Sequence, residues 1–175
     1  MKKVHVGDNG YTYILFGKKL PKYHPLMDLL GTIDELSSML GFARALMREK
    51  SEFYKIPKII LEIQRDLIRL GRDVAAMNRY KEFNDYINEN DVRRLEELIN
   101  EFWKKPQENF QIPGSRSLYS ALLHVTRAIC RRAERIAAKL LHEEILNKYD
   151  YIYLNRLSDL LFVLAVYIDT LSNRD

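Results

Sequence analysis

The segment LYSALLHVTRAICRRAERIAAKLL, residues 118–141, decides the fold. Its apolar side chains recur every three or four residues, which is the spacing of one helix face. Ser115 or Ser117 can cap the first turn, because a hydroxyl oxygen accepts a bond from an unpaired backbone N–H. The pattern predicts the longest helix of the chain.

The same spacing appears on both sides of this segment. It predicts helices from Leu26 to about Arg48, after Pro57, after a cap at Asn90 or Asp91, and from about Tyr151 to Leu171. No convincing two-residue alternation indicates a strand. We therefore predict an all-α, up-and-down five-helix bundle. A single domain over 1–175 would comprise an N-terminal loop, 1–25, and the bundle, 26–175.

Composition excludes several classes of protein. Apolar residues make up 47% of the 175 residues and charged residues 30%, which is typical of a globular chain. The longest apolar run, 160–168, has nine residues, whereas a bilayer span needs roughly 20. The first ten residues lack the apolar region of a secretory signal, and the single Cys cannot form an internal disulfide. These observations predict a cytoplasmic protein with no membrane partner.

Two basic segments lie far apart in the sequence. Residues 1–22 contain five Lys and one Asp, and residues 115–139 contain six Lys or Arg and one Glu. Such segments either repel each other or converge on an anion. Nucleotide phosphate, nucleic acid and an acidic partner all remain open from charge alone.

The long helix places Arg127, Arg131, Glu134 and Arg135 on one face. Guanidinium groups bind phosphate oxygens in a bidentate manner, so the face is a candidate anion site. The alternative, of about equal weight, is a solvated face with salt bridges inside the helix.

Two further segments carry polar residues. Gly7 to Thr12 and Gly17 to Lys22 could cradle a phosphate, although a flexible basic arm is an alternative. Asn155 to Asp159 suits a buried hydrogen-bond network or, alternatively, a capped helix start. The four His residues are scattered and predict no metal site, and Cys130 is expected to be a packed thiol.

Three segments together resemble the PduO-type ATP:cob(I)alamin adenosyltransferases: 32–36 (TIDEL), 127–135 (RAICRRAER) and 153–162 (YLNRLSDLLF). The resemblance runs in register from Gly7 to about Tyr167. It implies a five-helix bundle of the ferritin-like type that assembles as a homotrimer, with active sites between subunits. It also implies a transferase that moves the 5′-deoxyadenosyl group of ATP to Co(I) of cobalamin or cob(I)yrinic acid a,c-diamide and releases triphosphate.

The resemblance also implies a set of site residues. Those expected to be catalytic are Arg131, Arg127 and Asp34, with Asp34 paired to Arg127 across the subunit interface. Those expected to bind ATP are His5, Val6, Gly7, Asp8, Thr12, Tyr13, Lys22, Arg131, Arg132, Glu134, Arg135 and Asn155. Those expected to bind the corrinoid are Phe110, Ile112 and His124. Mg²⁺ would enter with ATP, and a cobalt reductase and a downstream mutase are the implied partners.

The front loop departs from the family pattern. Val4 and Val6 stand where Thr is usual, and Phe16-Gly17 stands where the family has two glycines. A second hypothesis is therefore an ATP-binding trimeric bundle with weak or no transferase activity, acting as a nucleotide sensor or adenosylcobalamin carrier. A nucleic-acid-binding helical protein ranks below both, because Glu134 and Asp34 would repel a phosphate backbone.

Overall fold

The computed structural model describes residues 7–103, 112–114 and 116–171, and within them it confirms the five predicted helices. Their bounds are α1 Pro25–Met47, α2 Ile56–Ala76, α3 Glu89–Phe102, α4 Leu118–His142 and α5 Lys148–Leu171. The predicted residues His5, Val6, Phe110 and Ser115 lie outside the described residues.

Helix starts follow local capping chemistry. Ser117 caps α4, as one of the two predicted alternatives, by accepting a bond from the Tyr119 N–H at 3.2 Å. The predicted caps of α3 were wrong: Asn88 caps the helix in a reciprocal capping box with Asp91. The α5 helix begins three residues before the predicted start, directly after Asn147.

The expectation of no strand was also wrong in one place. Strands β1, Tyr11–Tyr13, and β2, Lys19–Pro21, form an antiparallel hairpin in which Thr12 lies opposite Leu20. A 3₁₀ turn, Leu15–Gly17, joins the strands. Three residues per strand are too few to produce a recognisable alternation in the sequence. The buried side chain of Leu20 anchors the hairpin in the core.

The α5 helix lies at the centre of the core. It packs against α4 and α3, while α4 also packs against α1, and α1 against α2. By length and composition alone, α5 is the one helix of the described ranges that could cross a membrane, but 56% of its most apolar window is buried inside the bundle. Neighbouring helices thus cover more than half of this window.

Cys130 lies at the contact between α4 and α5. The residue is fully buried, and its thiol lies 3.3 Å from the Leu154 carbonyl oxygen. Burial strongly raises the pKa of the Cys130 thiol. The structure thereby confirms the prediction of a packed, unreactive thiol.

A buried polar cluster around Asp66 joins α2, α3 and α5. The Tyr153 hydroxyl donates to Asp66 Oδ2 at 2.7 Å, and Arg94 pairs with the same oxygen. Arg69 lies 3.1 Å from Asp66 Oδ1 and 2.7 Å from Asp91 Oδ2. The cluster positions α5 at Tyr153, two residues before the candidate site residue Asn155.

A second buried carboxyl group lies at the start of α5. Asp150 is fully buried, and neither carboxyl oxygen has a hydrogen-bond partner among the described residues. Burial, and then the charge of Asp73, raise the pKa of Asp150 well above its usual range. The folded protein therefore favours the neutral form of this group.

We expect Asp150→Asn to raise stability at neutral pH. Because folding raises the pKa of Asp150, its contribution to the free energy of unfolding falls as pH rises from about 4, the usual value for Asp, towards the raised pKa. The non-ionising variant should gain about 1 kcal/mol at pH 7, or about 2–4 °C in Tm, and nothing near pH 3. Thermal unfolding at both pH values measures the difference. The exposed Asp159→Asn is the control, and an equal gain at both pH values would contradict the expectation.

Candidate active site

The hairpin brings two of the predicted phosphate ligands together. Gly7 has φ +112, and a Cβ placed there would lie 3.1 Å from Lys22 Nζ. Only glycine both adopts this conformation readily and leaves room for the ammonium group. The Lys22 N–H also donates to the Gly10 carbonyl oxygen at 2.8 Å, which fixes the end of the hairpin. The result is a cationic cradle that a side chain at position 7 would fill.

The other predicted ATP-binding residues of this segment lie in the hairpin or just before it. Thr12 is half-buried in the middle of β1, and Asp8 and Tyr13 are exposed on either side of it. Tyr13 lies opposite Lys19 in the hairpin register. The role of these residues in ATP binding stays a prediction.

The arginines of α4 differ in whether their charge is neutralised. Arg132 pairs with Glu35 of α1, so this guanidinium is already occupied within the chain. Arg131 and Arg135 are exposed, and no carboxylate in the described part of the chain forms an ion pair with either. Both of these charges are therefore available for an anionic ligand.

A chain of polar contacts fixes Glu134 and Asn155. The Asn155 amide donates to Glu134 Oε1 at 2.8 Å, and Arg156 Nη1 donates to Asn155 Oδ1 at 2.7 Å. Arg156 Nε in turn donates to Glu96 of α3 at 2.8 Å. Asn155 and Arg156 belong to a hydrogen-bond network as predicted, but the network is half-buried rather than buried, and Asp159 is exposed at its edge. It holds the side chains of α4 and α5 beside Arg131 in one arrangement.

The predicted corrinoid residue His124 packs its ring against an aromatic side chain. Its ring meets Phe162 edge-on with centroids 6.2 Å apart, and its Nε2 is buried with no partner among the described residues. Burial lowers the pKa of His124, with Asp169 acting in the opposite direction and Arg127 reinforcing the fall. The imidazole is therefore neutral at neutral pH. Ile112, the other described member of this set, is exposed.

Sequence reasoning missed two contributors to the site. Phe162 supports both His124 and Arg127, whose guanidinium lies over the ring at 5.3 Å from its centroid. Glu35 neutralises Arg132 although it lies 97 residues away in sequence. Both residues belong to the segments that carry the resemblance, but their partners depend on how the helices pack.

Asp34 and Arg127 do not form an ion pair within one chain. Asp34 is exposed on α1. Arg127, on α4, lies over the ring of Phe162, on α5. No described residue forms an ion pair with either side chain. The predicted pair between subunits therefore stays a prediction.

Comparisons with known proteins agree with this geometry. The family model described as cobalamin adenosyltransferase matches residues 3–168. The corrinoid adenosyltransferases of Citrobacter freundii and Bacillus subtilis are each 35% identical, covering 91% of this chain and 89% and 81% of their own lengths. A variant of the PduO-type ATP:corrinoid adenosyltransferase from Lactobacillus reuteri, solved with cobalamin and ATP, superposes with a TM-score of 0.88 at 31% identity, covering 99% of this chain and 93% of that one. The chain belongs to the cobalamin adenosyltransferase family.

Proposed function

We propose that this protein is an ATP:corrinoid adenosyltransferase that transfers the 5′-deoxyadenosyl group of ATP to Co(I) of cobalamin, forms adenosylcobalamin and releases triphosphate. The observation that carries the proposal is the pair of exposed guanidinium groups of Arg131 and Arg135, which form no ion pair within the described residues and lie beside the Glu134–Asn155 pair. The Gly7–Lys22 cradle offers a second cationic surface. Relatives that span most of the chain carry this activity in their names.

The main electrostatic requirement of the reaction is to stabilise the charge of the departing triphosphate. The electron pair of Co(I) forms the bond to the 5′ carbon of ATP, and the carbon–oxygen bond to the triphosphate breaks with its electron pair on oxygen. Negative charge therefore grows on the leaving group, and cations fixed beside it lower the barrier. Arg131 and Lys22 are the proposed stabilisers of that charge, and Mg²⁺ would arrive with ATP. Glu134 and Asn155 would orient the nucleoside, because their side chains are already held in place.

The end of the bundle around His124 and Phe162 is the proposed corrinoid site. A neutral imidazole and an aromatic ring suit the apolar face of a large macrocycle better than charged groups would. Phe110 and Ile112, which lie on the connection between α3 and α4, would complete the set. A reductase that supplies Co(I) and a mutase that receives the product are the proposed partners, and the cytoplasm is the proposed location.

A homotrimer with active sites between subunits is the proposed assembly. The exposed Asp34 and the half-buried Arg127 support it, because neither forms an ion pair within the described residues and their opposite charges are free to meet in another copy. Such a pair would set the register of one subunit against the next.

Asp34→Ala or Arg127→Ala should weaken both the trimer and turnover. We expect sedimentation velocity to show a shift towards smaller species at micromolar concentration, with turnover reduced about tenfold or more. The exchange variant Asp34→Arg with Arg127→Asp restores opposite charges and should recover part of the assembly. An unchanged trimer in both single variants would contradict the proposed pairing.

The function is tested by anaerobic turnover. Purified protein, Mg-ATP and chemically reduced cob(I)alamin are mixed, and the visible spectrum is followed for adenosylcobalamin. Formation of the product over many turnovers establishes the enzyme. Saturable ATP binding without product would instead favour the sensor or carrier hypothesis, and binding to DNA that falls steeply with salt would favour the nucleic-acid hypothesis.

A further inference from the structure

Phe16 occupies a conformation that ordinarily requires glycine. At the turn between β1 and β2 it has φ 59 and ψ 20, in the left-handed region, and Gly17 follows with φ 75. A residue with a Cβ is disfavoured there, and an aromatic one is rare. Because this backbone conformation is unfavourable for phenylalanine, contacts of the Phe16 ring must compensate for its cost.

The Phe16 ring makes two contacts outside the hairpin. It stacks on Phe83 with centroids 6.1 Å apart and planes 28° from parallel. The Arg79 guanidinium lies over the Phe16 ring, 3.8 Å from its centroid. Arg72 in turn lies over the Phe83 ring at 4.3 Å. We call these four side chains the aromatic clamp.

The cations of the clamp are themselves fixed by carboxylates. Arg79 forms two bonds to Glu82, at 2.6 and 3.1 Å. Arg72 forms an ion pair with Asp85 at 2.8 Å. A guanidinium group already held by a carboxylate loses less side-chain freedom when it packs on a ring, which favours the contact of Arg79 with Phe16.

The clamp joins the hairpin to the C-terminal end of α2. Arg79 lies in the 3₁₀ turn Met77–Glu82 that follows α2, and Phe83 comes directly after that turn. Lys18 adds a contact from the hairpin, with its Nζ 3.4 Å from the Met77 sulfur. Leu20 anchors β2 in the core, but the turn at 15–17 projects beyond it, so the clamp fixes the tip of the hairpin.

We propose that Phe16 is a positioning residue for ATP binding, acting through the aromatic clamp to hold the hairpin docked on the bundle before ATP arrives. This inference rests on the proposed function, since it assigns a role within the same site. When only a fraction of molecules has the binding-competent loop, the apparent dissociation constant rises by the inverse of that fraction. The clamp keeps the fraction of molecules with a docked hairpin high, and it thereby keeps the Gly7–Lys22 cradle in place.

The decisive variant is Phe16→Gly, which removes the ring and suits the backbone conformation. We expect the KM for ATP to rise about three- to tenfold, with kcat changed less than about twofold, because a docking equilibrium affects binding rather than the chemical step. Phe83→Ala should act in the same direction, and Phe16→Tyr, which keeps the ring, should behave like the unmodified protein. Leu15→Ala is the matched control, since Leu15 lies in the same exposed turn and has no ring.

Hydrogen exchange on the protein without substrate provides a readout independent of activity. The amides of 11–13 and Lys22 should exchange faster in Phe16→Gly, while those of α2 and the Tm stay unchanged. The proposal is overturned if exchange and KM are both unchanged, if Leu15→Ala gives the same effect, or if kcat and Tm fall together. If the unmodified protein shows no turnover, the proposed function fails instead, and ATP calorimetry with hydrogen exchange still tests the clamp.

Discussion

Arg131→Ala should lower the rate of adenosyl transfer about 10²- to 10³-fold and leave the bundle folded. Arg131 is exposed on α4 and forms no ion pair within the described residues, so its removal breaks no structural contact there. Its proposed task is to stabilise charge that grows on the triphosphate only as the bond to the 5′ carbon breaks. An interaction made mainly in the transition state is lost from kcat rather than from KM.

The measurement is steady-state turnover with Mg-ATP and cob(I)alamin, accompanied by circular dichroism to verify helix content. Arg93→Ala is the matched control, because Arg93 is an exposed arginine on α3 whose only described partner is Asn90. Arg132→Ala should have a smaller effect than Arg131→Ala, since Glu35 already neutralises Arg132. Near-full turnover by Arg131→Ala would show that the site assignment is wrong.

Asp66→Ala should destabilise the protein by about 2–4 kcal/mol, the cost of removing a buried carboxylate that is the partner of one buried hydroxyl and two partly exposed arginines. The fully buried Tyr153 hydroxyl would lose its acceptor, and Arg94 would lose its carboxylate. Arg69 would keep Asp91, so the loss falls mainly on the other two groups. Such a change would remove a large part of the free energy of unfolding of a protein of ordinary stability.

Urea unfolding followed by circular dichroism measures this cost. Tyr153→Phe removes only the hydroxyl and should lose about 1–3 kcal/mol, because Asp66 keeps its arginine partners. Asp159→Ala is the control, since the Asp159 carboxylate is 57% exposed and lies 3.9 Å from Arg156, where a surface pair contributes about 0–1 kcal/mol. Equal losses in Asp66→Ala and Asp159→Ala would contradict a structural role for the cluster.

The helices were predictable because their apolar periodicity extends over many turns, whereas their ends depend on a single hydrogen bond. Asn88, Asn90 and Asp91 are equivalent caps by residue type, and only the backbone geometry that closes the capping box selects Asn88. The β-hairpin escaped prediction because each of its strands has only three residues, too few to show an alternation in the sequence.

The candidate site was predictable as far as the arginine face of α4 and the polar residues that begin at Asn155. Helical spacing places residues on one face, but it does not reveal which charge a neighbouring helix neutralises. Arg132 is paired by Glu35 from α1, and Asp66 meets Tyr153 across 87 residues. Such contacts depend on the packing of helices that lie far apart in the chain, so local patterns contain no signal for them.

The single cysteine allows the opening of the bundle to be measured by thiol labelling. Cys130 is the only thiol in the sequence and is sealed between α4 and α5, the two helices that carry the fixed Glu134–Asn155 pair. A thiol reagent can reach it only when these helices separate, so the labelling rate measures how often the candidate site comes apart. Substrate that bridges α4 and α5 should slow this labelling, which turns one buried sulfur into a native probe of occupancy.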